Sequence, residues 1–234
     1  MERGRRKIAY TQDYKKETYS TKEEWLEHRG IGGSTASAIL NKNPWMNCLE
    51  LYNSLVRTER KTYKSKGNDA TERGTKLEPL IRKEFAIDHP NAEIEYPGGN
   101  VLFRRTDKPY LTASLDGMME EDGESGILEI KTHDMRSGDE AIWADGIPEY
   151  YFIQLIHYLM VMQDKSFATL CARLRYYGYK NDKRYLERVV YRYYTIYRSD
   201  EAIAKWIAYL EKEETDFWEN HVLKKIPPMP RISI

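Results

Sequence analysis

The chain is nearly without cysteine: 234 residues contain two, Cys48 and Cys171. Two thiols build neither a disulfide framework nor a four-cysteine zinc or iron–sulfur site, and they suit a reducing compartment. Net charge is also absent, since 37 Lys and Arg oppose 37 Asp and Glu. A uniformly cationic coat is thereby excluded, and contact with a polyanion has to come from local clusters. No run of about 18 apolar residues occurs, so no membrane association is expected. The opening MERGRRKIAY lacks the apolar stretch of a secretion signal. The cytoplasm is the expected location.

What is present suffices for one sizeable core: 41% of the residues are hydrophobic and 19 are tyrosine. One domain over residues 1–234 is expected. Residues 1–20 read as a basic, loose arm. Thr21-Lys-Glu-Glu24 fits a capping box opening a short helix that ends at Arg29-Gly30. Gly30-Ile-Gly-Gly-Ser34-Thr-Ala-Ser37 reads as a glycine-rich turn feeding a helix of small residues. Helical spacing covers 47–57, a loop 58–70, and a helix about 70–87 with Leu77, Ile81 and Phe85 on one face and a kink at Pro79. Strand-like runs follow at 93–97, 101–105, 110–119 and 126–132, with Gly98-Gly99 and Glu121-Asp-Gly123 as turns. A short helix at 137–144 and a longer one from Pro148 to about Met162 precede two alternating runs at 167–177 and 184–194. A last helix, capped by Ser199, lies within 199–226. The order predicts an α/β (α+β) fold with helices packed on a mixed sheet.

The chemistry concentrates in Ser114-Leu-Asp116-Gly followed, thirteen residues after the aspartate, by Glu129-Ile-Lys131. Side chains alternate along a strand, so Glu129 and Lys131 share a face while Ile130 points into the core. A tight hairpin would bring Asp116 beside them. A lone Glu-x-Lys is usually a solvated ion pair, but Ile127, Leu128 and Ile130 make this strand apolar on both sides, where charge needs a reason. Crowded carboxylates repel unless a cation joins them, so a hard divalent metal is the natural occupant. The lysine can orient or deprotonate a water there and neutralise charge on a phosphate.

Asp followed by Glu-x-Lys after a hairpin resembles the core of the PD-(D/E)xK nuclease superfamily. More narrowly, the chain resembles the phage-type alkaline exonucleases, the lambda exonuclease or YqaJ-like viral recombinase family. Four segments carry the likeness in order: Trp25 to Ser34; Arg73-Gly-Thr-Lys-Leu-Glu78-Pro; Ala113 to Gly117 with Leu128 to Thr132; and Pro148-Glu-Tyr-Tyr-Phe-Ile-Gln154-Leu-Ile-His-Tyr158. The proline of the superfamily's name is missing, since Leu115 precedes Asp116.

The resemblance implies a restriction-endonuclease-like core with a central mixed β-sheet flanked by helices. It implies two Mg²⁺ ions, replaceable by Mn²⁺, held by Glu78, Asp116, Glu129 and the backbone carbonyl of Ile130. Lys131 would be the catalytic lysine, and Gln154 would position water or the scissile phosphate. Arg29, Ser114 and either Ser34 or Ser37 would receive a 5′-phosphate, although a mere tight turn explains the glycines nearly as well. Lys61, Lys64, Lys66 and Arg73 are candidates for a DNA channel. The implied activity is 5′→3′ digestion of one strand of duplex DNA in phage or prophage recombination, by a homotrimer working with a single-strand annealing protein in a bacterial cytoplasm. The alternatives are a structure- or site-specific endonuclease with the same core and a catalytically silent DNA-binding or scaffold protein. His157 is expected to be a packed, hydrogen-bonded core histidine, not a metal ligand.

Overall fold

Strands sort into two sheets with helices between and around them. The structure is a computed structural model that describes residues 12–56, 69–144 and 146–229, the side chains of 69–71 excepted. The loop expected at 58–70, with Lys61, Lys64 and Lys66, therefore lies almost wholly outside the described residues, as do residues 1–11. The elements are β1 (Tyr14–Thr18), α1 (Lys22–His28), β2 (Ile31–Gly32), α2 (Gly33–Ile39), α3 (Cys48–Val56), α4 (Asp69–Asp88), β3 (Ala92–Glu95), β4 (Val101–Arg105), β5 (Leu111–Ala113), β6 (Gly117–Glu121), β7 (Glu124–Asp134), α5 (Asp139–Ala144), α6 (Glu149–Val161), β8 (Phe167–Lys180), β9 (Lys183–Tyr197) and α7 (Glu201–Phe217). A π-helical turn, Trp218–Val222, extends α7.

One sheet has the order β1-β4-β5-β2 and the other β3-β6-β7-β8-β9. Most pairs are antiparallel, but β2 runs parallel to β5 and β7 to β8. Both sheets are thus mixed, as expected. The run 110–119 is not one strand. β5 belongs to the first sheet and β6 to the second, and Ser114-Leu115-Asp116 carries the chain between them. A second correction concerns residues 14–18, which are not a loose arm. They form an edge strand on β4, secured by Arg104 Nε donating to Glu17 at 2.9 and 3.0 Å. A third concerns the last helix: Asp200, not Ser199, is its N-cap.

α1 begins as its capping pattern predicts, with Thr21 Oγ1 accepting the Glu24 amide at 3.1 Å. α4 runs through Pro79 as one helix and buries Ile81 and Phe85 completely. The β6–β7 hairpin turns on Asp122 and Gly123, both at positive φ (51° and 75°). That pair suits the two-residue turn whose twist matches the strands.

α6 organises the interior. Ten of its residues are buried, including Leu155, Ile156, His157 and Leu159 at 0% exposure. A helix apolar on all sides belongs inside, and α6 packs on β4 and β5 of one sheet, β7 and β8 of the other, and the helices α2 and α7. A smaller core of Ile81, Phe85, Met119, Leu128, Ile130, Phe167 and Cys171 fills the space between α4 and the second sheet. β7 therefore has apolar packing on both faces, with Ile127 in the larger core and Leu128 and Ile130 in the smaller.

Candidate active site

The hairpin register sets the distance between the two strand carboxylates. Gly117 pairs with Leu128, so Asp116, one step ahead of β6, falls opposite Glu129. Asp116 is fixed there by its own carboxylate, whose Oδ2 accepts the Ile130 amide at 2.8 Å. Glu129 is 2% exposed. Its Oε1 accepts from the Lys131 ammonium and from Gln154 Nε2, the latter at 2.6 Å. Its Oε2 is buried with no hydrogen-bond partner. Lys131 also lies over the Tyr151 ring, 5.3 Å from the centroid.

α6 brings Gln154 to this point, and two contacts fix its orientation. Gln154 Nε2 donates to Tyr158 Oη at 2.8 Å, and Tyr158 donates in turn to the Ser114 carbonyl at 2.9 Å. The chain Glu129–Gln154–Tyr158–Ser114 thus ties the helix to the crossover between the sheets. Its approach to α2 demands a glycine: a Cβ on Gly33 would stand 2.5 Å from the Tyr158 ring and 3.0 Å from Gln154 Cγ.

Electrostatics follow from crowding and burial. Burial, then the Asp116 charge, pushes Glu129 up to about 8 and Glu78 up to about 7. Asp116 is raised by burial against the pull of Lys131 and the Ile130 amide. Burial opposes the Lys131 charge, but Glu129 and Asp116 outweigh it and hold the ammonium above its ordinary range. Burial and the Glu129 charge keep the Tyr158 phenol protonated, as its role as donor requires.

Among the described residues no three Asp, Glu, His or Cys side chains form a ready-made metal cluster. The donor chemistry nevertheless fits a hard cation. Asp116, just ahead of β6, lies opposite Glu129 of β7, Glu78 is within their field, and Glu129 Oε2 is a buried acceptor with no hydrogen-bond donor among the described residues. A buried lone pair of that kind is costly unless a cation or donor meets it.

Two residues of this site carried no sequence signal of their own. Arg82 donates Nη1 to the Asp116 carbonyl at 3.0 Å while stacking 4.0 Å over Tyr96. Its position one helical turn after Glu78 was the available hint. Tyr158 entered only as the last residue of the fourth family-like segment.

The phosphate-pocket candidates divide. Arg29 Nη2 donates to Ser34 Oγ at 2.6 Å, with its guanidinium 5.2 Å from the Trp25 ring and Ser34 exposed. Ser37 is 1% exposed and faces the core, so it does not join them. Ser114 Oγ donates to the Val101 carbonyl at 2.9 Å. The glycines answer to packing as well: a Cβ on Gly30 would lie 2.1 Å from the Tyr110 carbonyl oxygen, and one on Gly32 2.8 Å from the Arg29 guanidinium. His157 is a core residue, as expected. Its Nδ1 meets Glu214 at 2.9 Å and its Nε2 the Thr112 carbonyl at 3.0 Å, with both side chains 0% exposed.

Mixed sheets flanked by helices, with an Asp just before one strand and a Glu-x-Lys on its hairpin partner, define a restriction-endonuclease-like core. Solved alkaline exonucleases share this fold. An alkaline exonuclease (LHK-Exo) from Laribacter hongkongensis superposes with a TM-score of 0.57 at 20% identity, over 87% of this chain and 96% of that one. The complex of LHK-Exo with dAMP gives 0.57 at 19% identity, over 88% and 94%. A phage related exonuclease from Haemophilus somnus 129PT gives 0.52 at 16% identity, over 86% and 98%. The chain belongs to the YqaJ-like viral recombinase domain family, whose model matches residues 24–168. It is 29% identical over 211 residues to the uncharacterized protein YqaJ of Bacillus subtilis (strain 168), covering 89% of this chain and 59% of that protein's length.

Proposed function

We propose that this chain is a metal-dependent deoxyribonuclease that digests duplex DNA from its ends, 5′→3′, with Mg²⁺ as the natural ion and Mn²⁺ as a substitute. The observation that carries the reading is the connected set Asp116, Glu129, Lys131 and Gln154, with one buried Glu129 oxygen left to accept a cation. Names of the similar structures support it: an alkaline exonuclease, the same protein with dAMP, and a phage related exonuclease.

Asp116, Glu129, the Ile130 carbonyl and Glu78 would hold the ions, which supply Lewis-acid activation of water and neutralisation of the leaving oxygen. Gln154 holds Glu129 in place by its amide, so the carboxylate presents its second oxygen. Lys131, beside Glu129 and Asp116, offers a charge and a donor to the scissile phosphate. Arg29 with Ser34 forms a fork suited to a 5′-terminal phosphate. A homotrimer and a single-strand annealing partner complete the reading by family likeness.

The test is incubation of linear duplex, labelled at either end, with Mg²⁺, beside a closed circle. Stepwise loss of the 5′ label from linear DNA alone is the expected result. Nicking of the circle would replace this reading with an endonuclease. Binding without cleavage in Mg²⁺ and Mn²⁺ would replace it with a silent DNA-binding protein.

A further inference from the structure

Asp134, the last residue of β7, gathers three arginines from three elements. Arg73 of α4 reaches Oδ2 at 3.2 Å and Arg184 of β9 reaches the same oxygen at 3.5 Å. Arg175 of β8 holds Oδ1 through Nε at 2.7 Å. Among the described residues these three guanidiniums form their ion pairs with Asp134 alone. One carboxylate cannot balance three such groups, so the cluster keeps two positive charges in excess. Arg175 is buried, whereas the Arg73 and Arg184 side chains are 38% and 47% exposed, so the excess charge is presented to solvent.

The cluster is also built to receive something. Arg73 Nε is buried and has no hydrogen-bond partner. The Tyr177 ring is flanked by Arg184 at 3.6 Å and Arg175 at 5.5 Å, which fixes two planar donor groups in place. The Arg184 side chain remains 47% exposed. Pre-oriented, weakly hydrated guanidiniums are the groups that fit phosphate oxygens in pairs.

Position adds the rest of the argument. Arg73 precedes Glu78 by five residues of α4, about 7.5 Å of helix rise. Asp134 follows Lys131 by three residues of β7, about 10 Å. One DNA strand advances about 3.4 Å per phosphate along its axis. The cluster thus stands about two to three nucleotides from the candidate active site. Beyond the cluster's own Arg175 and Arg184, residues 175–192 of the β8–β9 ribbon add Lys180, Lys183, Arg188 and Arg192 against only Asp182 and Glu187, in a chain of zero net charge.

We infer that Arg73, Arg175 and Arg184 around Asp134 form a second phosphate-binding site, which grips the DNA backbone about two to three nucleotides from the scissile bond. The inference rests on the nuclease reading and deepens it. The site is distinct from the fork of Arg29 and Ser34 and is indifferent to sequence and to the phosphorylation of the end.

The experiment is anisotropy of a labelled blunt duplex with 5′-hydroxyl ends, in EDTA so that nothing is cut, over a series of salt concentrations. Arg184→Gln and Arg73→Gln are measured singly and together, with circular dichroism to show that each folds. Each single change should weaken binding about tenfold at 0.1 M salt and reduce the slope of log affinity against log salt by about 1, and the pair by about 2. A folded double variant with the wild-type affinity and slope would overturn the inference and leave the nuclease reading standing. Wild-type protein that binds no duplex at all would bring down both. Isothermal titration with inorganic phosphate separates the remaining case: phosphate bound by the wild type and lost in the double variant, with duplex binding unmoved, would assign the cluster to a free anion and overturn the inference.

Discussion

Lys131 shows how one side chain draws its character from its neighbours. A lysine with its ordinary pKa is already a cation at neutral pH, and Glu129 and Asp116 keep this one charged despite its burial. Its contribution to cleavage is expected to be a charge and a hydrogen-bond donor beside the phosphate. Lys131→Ala should lower cleavage of linear duplex about a hundredfold to a thousandfold, and Asp116→Asn at least as much, while duplex binding in EDTA persists. Gel assays of digestion beside anisotropy check both, and near wild-type cleavage by either variant removes the site. The trio Asp116, Glu129 and Lys131 was legible in the sequence because a two-residue hairpin turn and strand alternation fix their relation locally. Arg82, Arg175 and Arg184 were not, since each reaches its partner from a different element and no spacing along the chain records that approach; Arg73 was read as a channel candidate, without its partner Asp134.

Elements meet in this fold through two contacts that tolerate little change. At the first, α2 crosses α6 where Gly33 faces the Tyr158 ring. Gly33→Ala should cost about 1–3 kcal/mol by overpacking and reduce cleavage further than this loss of stability explains, because Tyr158 and Gln154 shift together. Chemical denaturation and specific activity, measured side by side, decide it. At the second, His157 of α6 and Glu214 of α7 form a fully buried pair, with His157 also reaching the β5 backbone. Glu214→Ala should destabilise the chain by about 1–3 kcal/mol, since His157 Nδ1 is left buried without its hydrogen-bond partner; a urea melt gives the figure.

The same scale explains what sequence patterning left hidden. The run 110–119 reads as one strand because Leu111, Ala113, Leu115 and Met119 are all buried, so apolar alternation continues across the break between sheets. Only the Asp116-Gly117 pair marks it. β1 escaped for the opposite reason. Its Tyr-Lys-Lys-Glu-Thr has one buried side chain, as an exposed edge strand tolerates, and its pairing depends on Arg104, far along the chain. The helices α3, α4 and α6 and the strands β4, β8 and β9 were legible because each carries its own period.

For the whole molecule, the crowded carboxylates couple stability to pH and to cations. Glu78 and Glu129 have folded-state values raised to about 7 and about 8, against about 4.3 for an unperturbed glutamate. The native state therefore holds protons that the unfolded chain releases. The stability they contribute is full below the unfolded value and is lost as pH rises through 7 to 8. Without divalent ions the melting temperature should fall between pH 5 and pH 8.5, and Mg²⁺ should restore it more at pH 8.5 than at pH 5. A calorimetric series with and without Mg²⁺, repeated on Asp116→Asn, checks it. A Mg²⁺ effect of equal size at both ends of the range, or one that survives the substitution, would count against this account.

Since α6 is wedged between both sheets and carries the glutamine that steadies Glu129, the contact between Gln154 and Glu129 lasts as long as the larger core does. The backbone amides around Gln154 therefore belong among the last to trade their hydrogens with solvent.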